Sequence, residues 1–329
     1  MNVPQWVSQA LAGKLEGVSR KELAACAERM SATYRAQGGS TALRTPMDAL
    51  AYALVRMPAT YAAASYALRQ AEERCPEFAP SSLLDVGAGP GTASWAAVET
   101  WPALQQMTLL DQNPALQDLS RALGKACAGV RVEVAEGSIP GALKTASAAD
   151  VVVASYALAE IAASALNDVL AKLWPLAAEM LVIVEPGTPE GFKRTLVCRD
   201  WLLAAGAHVV APCTHPGPCP LRADERWCHF NQRLARARDH QLVKSAGVNY
   251  EDEKLCYLVA VRNAPTASVK RRILATPRVN KGEVRLTLCA PEQVEQAAIR
   301  RAQKEAYKEA RHYDWGDAVA IDAADTARE

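Results

Sequence analysis

The sequence predicts an α/β protein built on a doubly wound parallel sheet. A helical N-terminal region, a cysteine-rich insertion and a small C-terminal β/α extension complete it. Three observations predict this. Short apolar runs alternate with helical stretches between residues 82 and 261. The first run ends in a glycine turn, Asp85-Val86-Gly87-Ala88-Gly89-Pro90-Gly91. Cys213, Cys219 and Cys228 then crowd the interval before the last apolar run.

Residues 1–80 read as helices, because Ala, Leu, Met and charged residues dominate them. Gly38-Gly39 and residues 76–80 are breaks. Apolar runs at 82–86, 107–110, 130–134, 150–155, 180–185, 208–211 and 255–261 read as strands. Their apolar character on both faces implies a parallel sheet covered by helices on each side. Helices are expected over 92–101, 114–123, 163–176 and 192–204. Pro114 suits a first helical position, and Pro186-Gly187 stops the fifth strand. Residues 211–250 read as an insertion between the last two strands. Further on, Glu283-Val284-Arg285-Leu286-Thr287-Leu288 alternates with period two, a strand ending at Cys289. A charged helix over 291–312 and a disordered, acidic, alanine-rich tail are expected after it. The organisation is therefore a helical region to residue 80, a sheet domain over 81–262 and an extension over 263–329.

The chain has 329 residues, enough for a core domain with appendages. No stretch approaches the ~18 uninterrupted apolar residues of a membrane span, so no membrane partner is expected. Met1-Asn2-Val3-Pro4-Gln5-Trp6 has no basic start leading into an apolar core, and Glu16 and Glu22 come early. Neither a secretory nor a transit segment is expected. Nine cysteines without an export signal argue for a reducing compartment, the cytoplasm, and a monomer is expected there. In such a compartment clustered cysteines bind metal more often than they form disulfides. Net charge is +1, yet twelve basic residues face five acidic ones between Arg262 and Arg311. That excess suits a polyanion such as RNA. A solvated helix face is the plainer alternative. Arg271, Arg272, Arg300, Arg301, Lys304 and Lys308 are the candidate contacts.

Glycine permits positive φ and close approach of a ligand to the backbone. The helix that follows offers unpaired amides. The pattern at Asp85, Gly87, Gly89 and Gly91, with Asp111 ending the second strand, resembles the first motif of class I S-adenosylmethionine-dependent methyltransferases. The resemblance implies that Asp85 holds the methionine amine through bridging contacts. It implies that the three glycines pack under methionine and ribose, and that Asp111 accepts from the ribose hydroxyls. Gly137 and Ser138 would lie near the adenine. Ser155, Tyr156 and Glu185 would line the pocket.

Thiolates at short spacing bind zinc or iron–sulfur clusters. The spacings between Cys213, Cys219 and Cys228 are six and nine residues, wider than zinc ribbons and fingers prefer. A 4Fe–4S cluster with a distant fourth ligand suits them better, with zinc as the alternative. Pro212, Pro216, Pro218 and Pro220 stiffen the loop. His215 and His229 flank the site as lesser ligand candidates.

Six motifs then occur in order: Arg56-Met57-Pro58-Ala59-Thr60-Tyr61, the glycine turn, Glu185-Pro186-Gly187-Thr188-Pro189, Ala211-Pro212-Cys213, Trp227-Cys228-His229-Phe230 and Trp315-Gly316-Asp317. Together they resemble the methyltransferase-like family of small-subunit ribosome assembly factors, known in mitochondria and with bacterial members. This resemblance implies four cluster ligands, Cys213, Cys219, Cys228 and Cys289. Cys198 is the competing fourth ligand, and Cys256 reads as core. It also implies small-subunit rRNA or a ribosomal assembly intermediate as partner. Residues 154–160 carry no Asn/Asp-Pro-Pro-aromatic motif for methylating base amines. Two readings therefore stand: an rRNA methyltransferase, and an rRNA-binding assembly factor that retains the cofactor site. A zinc-containing methyltransferase acting on a small molecule or protein is the alternative to both.

Overall fold

The computed structural model describes residues 3–35, 42–236, 240, 243, 248–264, 270–291 and 293–320. The Gly38-Gly39 break and the last nine residues lie outside them. The chain opens with helices α1 (Gln5–Leu15), α2 (Arg20–Arg35), α3 (Pro46–Val55) and α4 (Met57–Arg74). A capping box starts α3: Asp48 N donates to Thr45 Oγ1 at 3.1 Å, and Thr45 N donates to Asp48 Oδ2 at 3.0 Å. Helix α4 is rich in alanine and buried on nearly every side. Its small side chains let it lie close against the main sheet and under neighbouring helices.

The main sheet comprises β1 (Ser82–Val86), β2 (Gln106–Asp111), β3 (Arg131–Glu136), β4 (Ala149–Ser155), β5 (Ala177–Pro186), β6 (His208–Ala211), β7 (Phe230–Ala235) and β8 (Tyr250–Val261). Its order is β3-β2-β1-β4-β5-β8-β6, with β7 also paired to β8. The strands β1 to β5 run parallel. Strand β8 is antiparallel to β5, β6 and β7. Successive residues of β4 point to opposite cores. Val151 and Val153 pack in the cluster with Trp95 and Tyr257, and Val152 and Ala154 pack in the one with Leu170 and Leu173. Helices α5 (Thr92–Thr100), α6 (Pro114–Gly124), the single turn α7 (Ile139–Ala142), α8 (Leu166–Leu176) and α9 (Pro189–Ala204) make the crossovers. The doubly wound reading holds, with β8 as the antiparallel exception.

A second sheet closes the chain. Strands β9 (Arg271–Ile273), β10 (Arg278–Asn280), β11 (Glu283–Cys289), β12 (Val294–Arg300) and β13 (Ala318–Val319) form it, with helix α10 (Lys304–Ala310) packed on it. Residues 291–312 are therefore not one helix. Ala297 and Ile299 are buried two residues apart, and β12 pairs antiparallel with β11 along its whole length. Ala, Glu and Gln favour helix locally, but hairpin pairing and burial of one face override that preference. The basic residues consequently do not form one helical stripe. Arg300 ends β12, Arg301 begins a 3-10 turn, and Lys304 and Lys308 lie on α10.

The insertion differs from expectation too. It contains β7, and β8 starts at Tyr250 rather than Leu255. Residues 250–254 alternate in exposure because they extend past the ends of β5 and β6 and pair with β7 alone. Nor does order end at His312. Gly316, at φ 101°, approaches the Tyr66 hydroxyl so closely that a Cβ there would collide with it.

Candidate functional site

One cavity opens at the carboxyl ends of β1 and β4, where the strand order reverses. Ligands of open α/β sheets bind at such switch points. Asp85, Gly87, Gly89 and Ser155 line it, together with Tyr52, Thr60 and Tyr156. Gly87, Gly89 and Gly91 hold φ of 71°, 56° and 84°. They serve different ends. A Cβ at Gly87 would strike Ala157, and one at Gly91 would strike Trp95. A Cβ at Gly89 would meet Leu116 alone, at 3.9 Å. Gly89 is therefore the glycine that leaves space for a ligand.

Asp85 is almost fully buried, and its Oδ2 accepts from Ser94 N and Oγ at 3.1 and 2.7 Å. Its Oδ1 is buried without a partner. Burial pushes the Asp85 carboxyl up to about 7, against the Ser94 hydrogen bonds that lower it. Asp111 lies just outside the cavity lining. Its Oδ2 accepts from Gly89 N at 2.7 Å and its Oδ1 from Asn113 N at 2.8 Å, so it holds the glycine turn in shape. Burial raises this carboxyl as well. Gly137 and Ser138 follow β3, one strand beyond Asp111, and Gly137 N donates to Asp111 O. They too lie outside the lining.

Tyr156 sits at φ 58°, a conformation uncommon for a non-glycine residue. Its hydroxyl donates to Glu253 Oε1 at 2.8 Å, and Arg56 pairs with the same oxygen at 3.5 Å. Sequence reasoning marked the Arg56 motif but gave Arg56 no role, and it missed Glu253. A partner 197 residues away leaves no local signal. Glu185 does not line this cavity. It is fully buried and paired with Arg194 at 2.6 Å.

A second cavity gathers the cysteines. Cys213 follows β6, Cys219 lies in the loop, Cys228 precedes β7 and Cys289 ends β11. All four line it, with Cys256, His215, Arg199 and Arg272. Burial and then the neighbouring thiols push Cys228 well above the ordinary thiol range and Cys289 up to about 12. Burial is also the main cause of the upward shift at Cys219. Thiols raised this way stay protonated in the empty site, and a soft metal centre would bind them as thiolates, with release of those protons. Among the described residues no three His, Cys, Asp or Glu side chains stand close enough to hold a single ion. A polynuclear cluster presents several metal atoms to its ligands, so it needs no such convergence on one point.

Cys198 is fully buried with Leu202 and Leu170 and lies outside the cavity. Cys256 is core and also cavity wall: its Sγ lies 3.1 Å from Cys228 O. That double position was not legible from an apolar strand. His229 is wedged between Trp227 and Trp315, with ring centroids 5.0 and 4.9 Å away. Arg272 is 1 % exposed, and Arg271 is paired with Glu295 at 2.8 Å. Neither is placed to meet RNA phosphates. Arg300, Arg301, Lys304 and Lys308 are exposed.

The sheet order, the glycine turn and the switch-point cavity together make the methyltransferase-type fold that the sequence resembles. The family model described as mitochondrial small ribosomal subunit Rsm22 matches residues 46–320. The chain belongs to the Rsm22 family. This Rsm22-family chain is similar to the human ribosome assembly protein METTL17, mitochondrial, at 28% identity over 298 residues, covering 83% of this chain and 62% of the relative. It is also similar to the mitochondrial Rsm22-cox11 tandem protein 2 of Schizosaccharomyces pombe, at 26% identity, covering 84% of this chain and 44% of that protein. It spans less than two thirds of either relative. Among solved structures it is similar to a precorrin-6y C5,15-methyltransferase from Geobacter metallireducens, at 14% identity and a TM-score of 0.41, covering 60% of this chain and 87% of that one. It is likewise similar to magnesium protoporphyrin IX methyltransferase from Synechocystis with bound SAM, at 10% identity and a TM-score of 0.40, covering 70% and 89%. Among the described residues no helix is long and apolar enough to cross a membrane.

Asp85 gives this site a pH signature. Its folded value of about 7 lies above the ordinary aspartate value of about 3.9 that the unfolded chain shows. Below the lower value both states are protonated and nothing is lost. Between the two, the unfolded chain ionises while the folded chain stays protonated, so stability falls as pH rises. Asp85→Asn is expected to flatten that fall between about pH 4 and pH 7. Denaturant unfolding of both proteins across this window checks it; parallel curves would remove the buried-acid assignment.

Proposed function

We propose that this chain is a small-subunit ribosome assembly factor of methyltransferase fold. In this reading it binds S-adenosylmethionine at the glycine turn and holds a 4Fe–4S cluster on Cys213, Cys219, Cys228 and Cys289. The observation that carries the proposal is that thiols from separated segments share one cavity, apart from a second cavity at the switch point. Its family membership supports the ribosomal role.

The glycine-turn cavity suits a ligand with an ammonium group. A cation beside the orphaned Asp85 Oδ1 would ionise a carboxyl that burial otherwise keeps protonated. Gly89 leaves room for the ligand, and Asp111 keeps Gly89 in place while accepting from ribose hydroxyls. Tyr156 and Ser155 wall the side where a methyl acceptor would enter. Methyl transfer to rRNA is a second reading, favoured by the Tyr156–Glu253 hydrogen bond beside this wall. The cluster would join the insertion to the C-terminal sheet, because Cys289 and the other three ligands come from different elements. The exposed Arg300, Arg301, Lys304 and Lys308 would meet rRNA phosphates.

Three measurements test this. Anaerobically purified protein should carry iron and sulfide in equal amounts. Cys289→Ser should lose them and Cys198→Ser should keep them, whereas zinc without iron would favour the zinc-containing methyltransferase. Calorimetry should detect S-adenosylmethionine binding to the wild type, lost in Gly89→Val; undiminished binding by that variant would move the ligand elsewhere. Crosslinking in cells should recover small-subunit rRNA. Reversing Arg300, Arg301, Lys304 and Lys308 to Glu should weaken that recovery and reduce the salt slope by about 0.7–0.9 per lost phosphate contact. Recovery no higher than bulk RNA would refute the ribosomal role.

A further inference from the structure

Arg272 is a cation that the protein itself leaves uncompensated. It stands on β9 directly opposite Cys289 on β11 and is 1 % exposed. Its Nε donates to Pro212 O at 3.0 Å, beside Cys213. Its Nη1 donates to Gly316 O at 2.7 Å and to Gln70 Oε1. Its Nη2 is buried with no hydrogen-bond partner. Among the described residues no carboxylate pairs with it. A guanidinium cannot escape burial by losing its proton, so an unpaired one is costly to the fold.

Arg272 does line the cysteine cavity. So does Arg199, also buried, whose Nε lies 3.3 Å from Cys213 Sγ. Arg199 has further acceptors in His215 O and Gly217 O, and Asp200 at 3.5 Å. Arg272 has neutral oxygens only. Four thiolates outweigh the positive charge of a 4Fe–4S core, so the loaded site is an anion.

We infer that Arg272 is the built-in counter-charge of the cysteine site, and that loading the site fastens the C-terminal sheet to the core. This rests on the cluster reading above. The three acceptors of Arg272 belong to α4, the cysteine loop and the segment before β13. An anion in the cavity satisfies the guanidinium and closes all three joints together. Without it, the same buried charge works against them. Arg272 is a positioning residue here, with no part as a ligand.

The test compares wild type, Arg272→Met and Arg272→Lys, each metal-free and after anaerobic reconstitution with ferrous iron and sulfide. Arg272→Met should lose iron to a chelator at about 10–100-fold lower competitor strength, the usual cost of removing a supporting group. Loading should raise the melting temperature of the wild type more than that of Arg272→Met, with Arg272→Lys between them. A purely structural role would lower loaded and metal-free proteins equally and would overturn the inference, as would wild-type iron retention by Arg272→Met. If Arg272→Met does not fold, hydrogen exchange on the wild type decides. Protection of β9 and β13 should rise on loading, and unchanged protection overturns the latch. A wild type that takes up no cluster refutes the cluster reading itself, and this inference with it.

Discussion

Strand β8 is the constraint on which both cavities depend. Its second half, Leu255 to Val261, is buried and completes the main sheet between β5 and β6. Its first half runs past the ends of β5 and β6 and pairs with β7 alone. The change from one to the other puts Glu253 against Tyr156 and Arg56, and Cys256 against the Cys228 carbonyl. Glu253 and Cys256 are three positions apart, and in an extended strand they point to opposite faces. A one-residue slip of β8 would exchange those faces and dismantle both arrangements. The apolar residues that anchor its second half against β5 prevent that slip.

Each cavity is bounded by polar groups that folding alone does not satisfy. Asp85 Oδ1 has no partner beside the glycine turn, and Arg272 Nη2 has none beside the cysteines. The signs are opposite. One cavity presents a buried carboxyl suited to a cation, and the other a buried guanidinium suited to an anion. Such groups weaken an empty fold, and a ligand of matching charge recovers that loss on binding. The glycine-turn cavity also holds a strained residue, Tyr156, at φ 58°.

Parallel strands and their crossover helices were legible because their apolar runs are continuous and the interruptions are Gly and Pro. The C-terminal sheet was less so. Residues 294–300 have a helix former's composition, and only their pairing with β11 and the burial of Ala297 and Ile299 make them a strand. Strand β7 was hidden for a related reason: it pairs with β8 alone at the edge of the sheet, and Asn231, Gln232 and Arg233 in its middle break any apolar run. Among the site residues, Asp85 and Gly89 were legible from motif spacing. Cys213, Cys219, Cys228 and Cys289 were suggested by resemblance, and they do share one cavity. Arg272 was misread, since a count of charges does not distinguish a surface cation from a buried one, and Arg271 is half-buried with its charge paired to Glu295.

The sequence by itself determined the local events: where strands and helices alternate, where glycine opens the backbone, and which side chains have the chemistry for each site. Those follow from periodicity and residue type within a few positions. Only tertiary structure decided which distant groups meet. Arg56 reaches Glu253 across 197 residues, and Arg272 reaches Gln70 across 202. Such contacts arise from strand register and from helix α4 packing on the sheet, and neither is written in the neighbourhood of the residues it joins. The same physics separates the three glycines of the turn. All share a positive φ, but the neighbours folded against them leave open space at Gly89 alone.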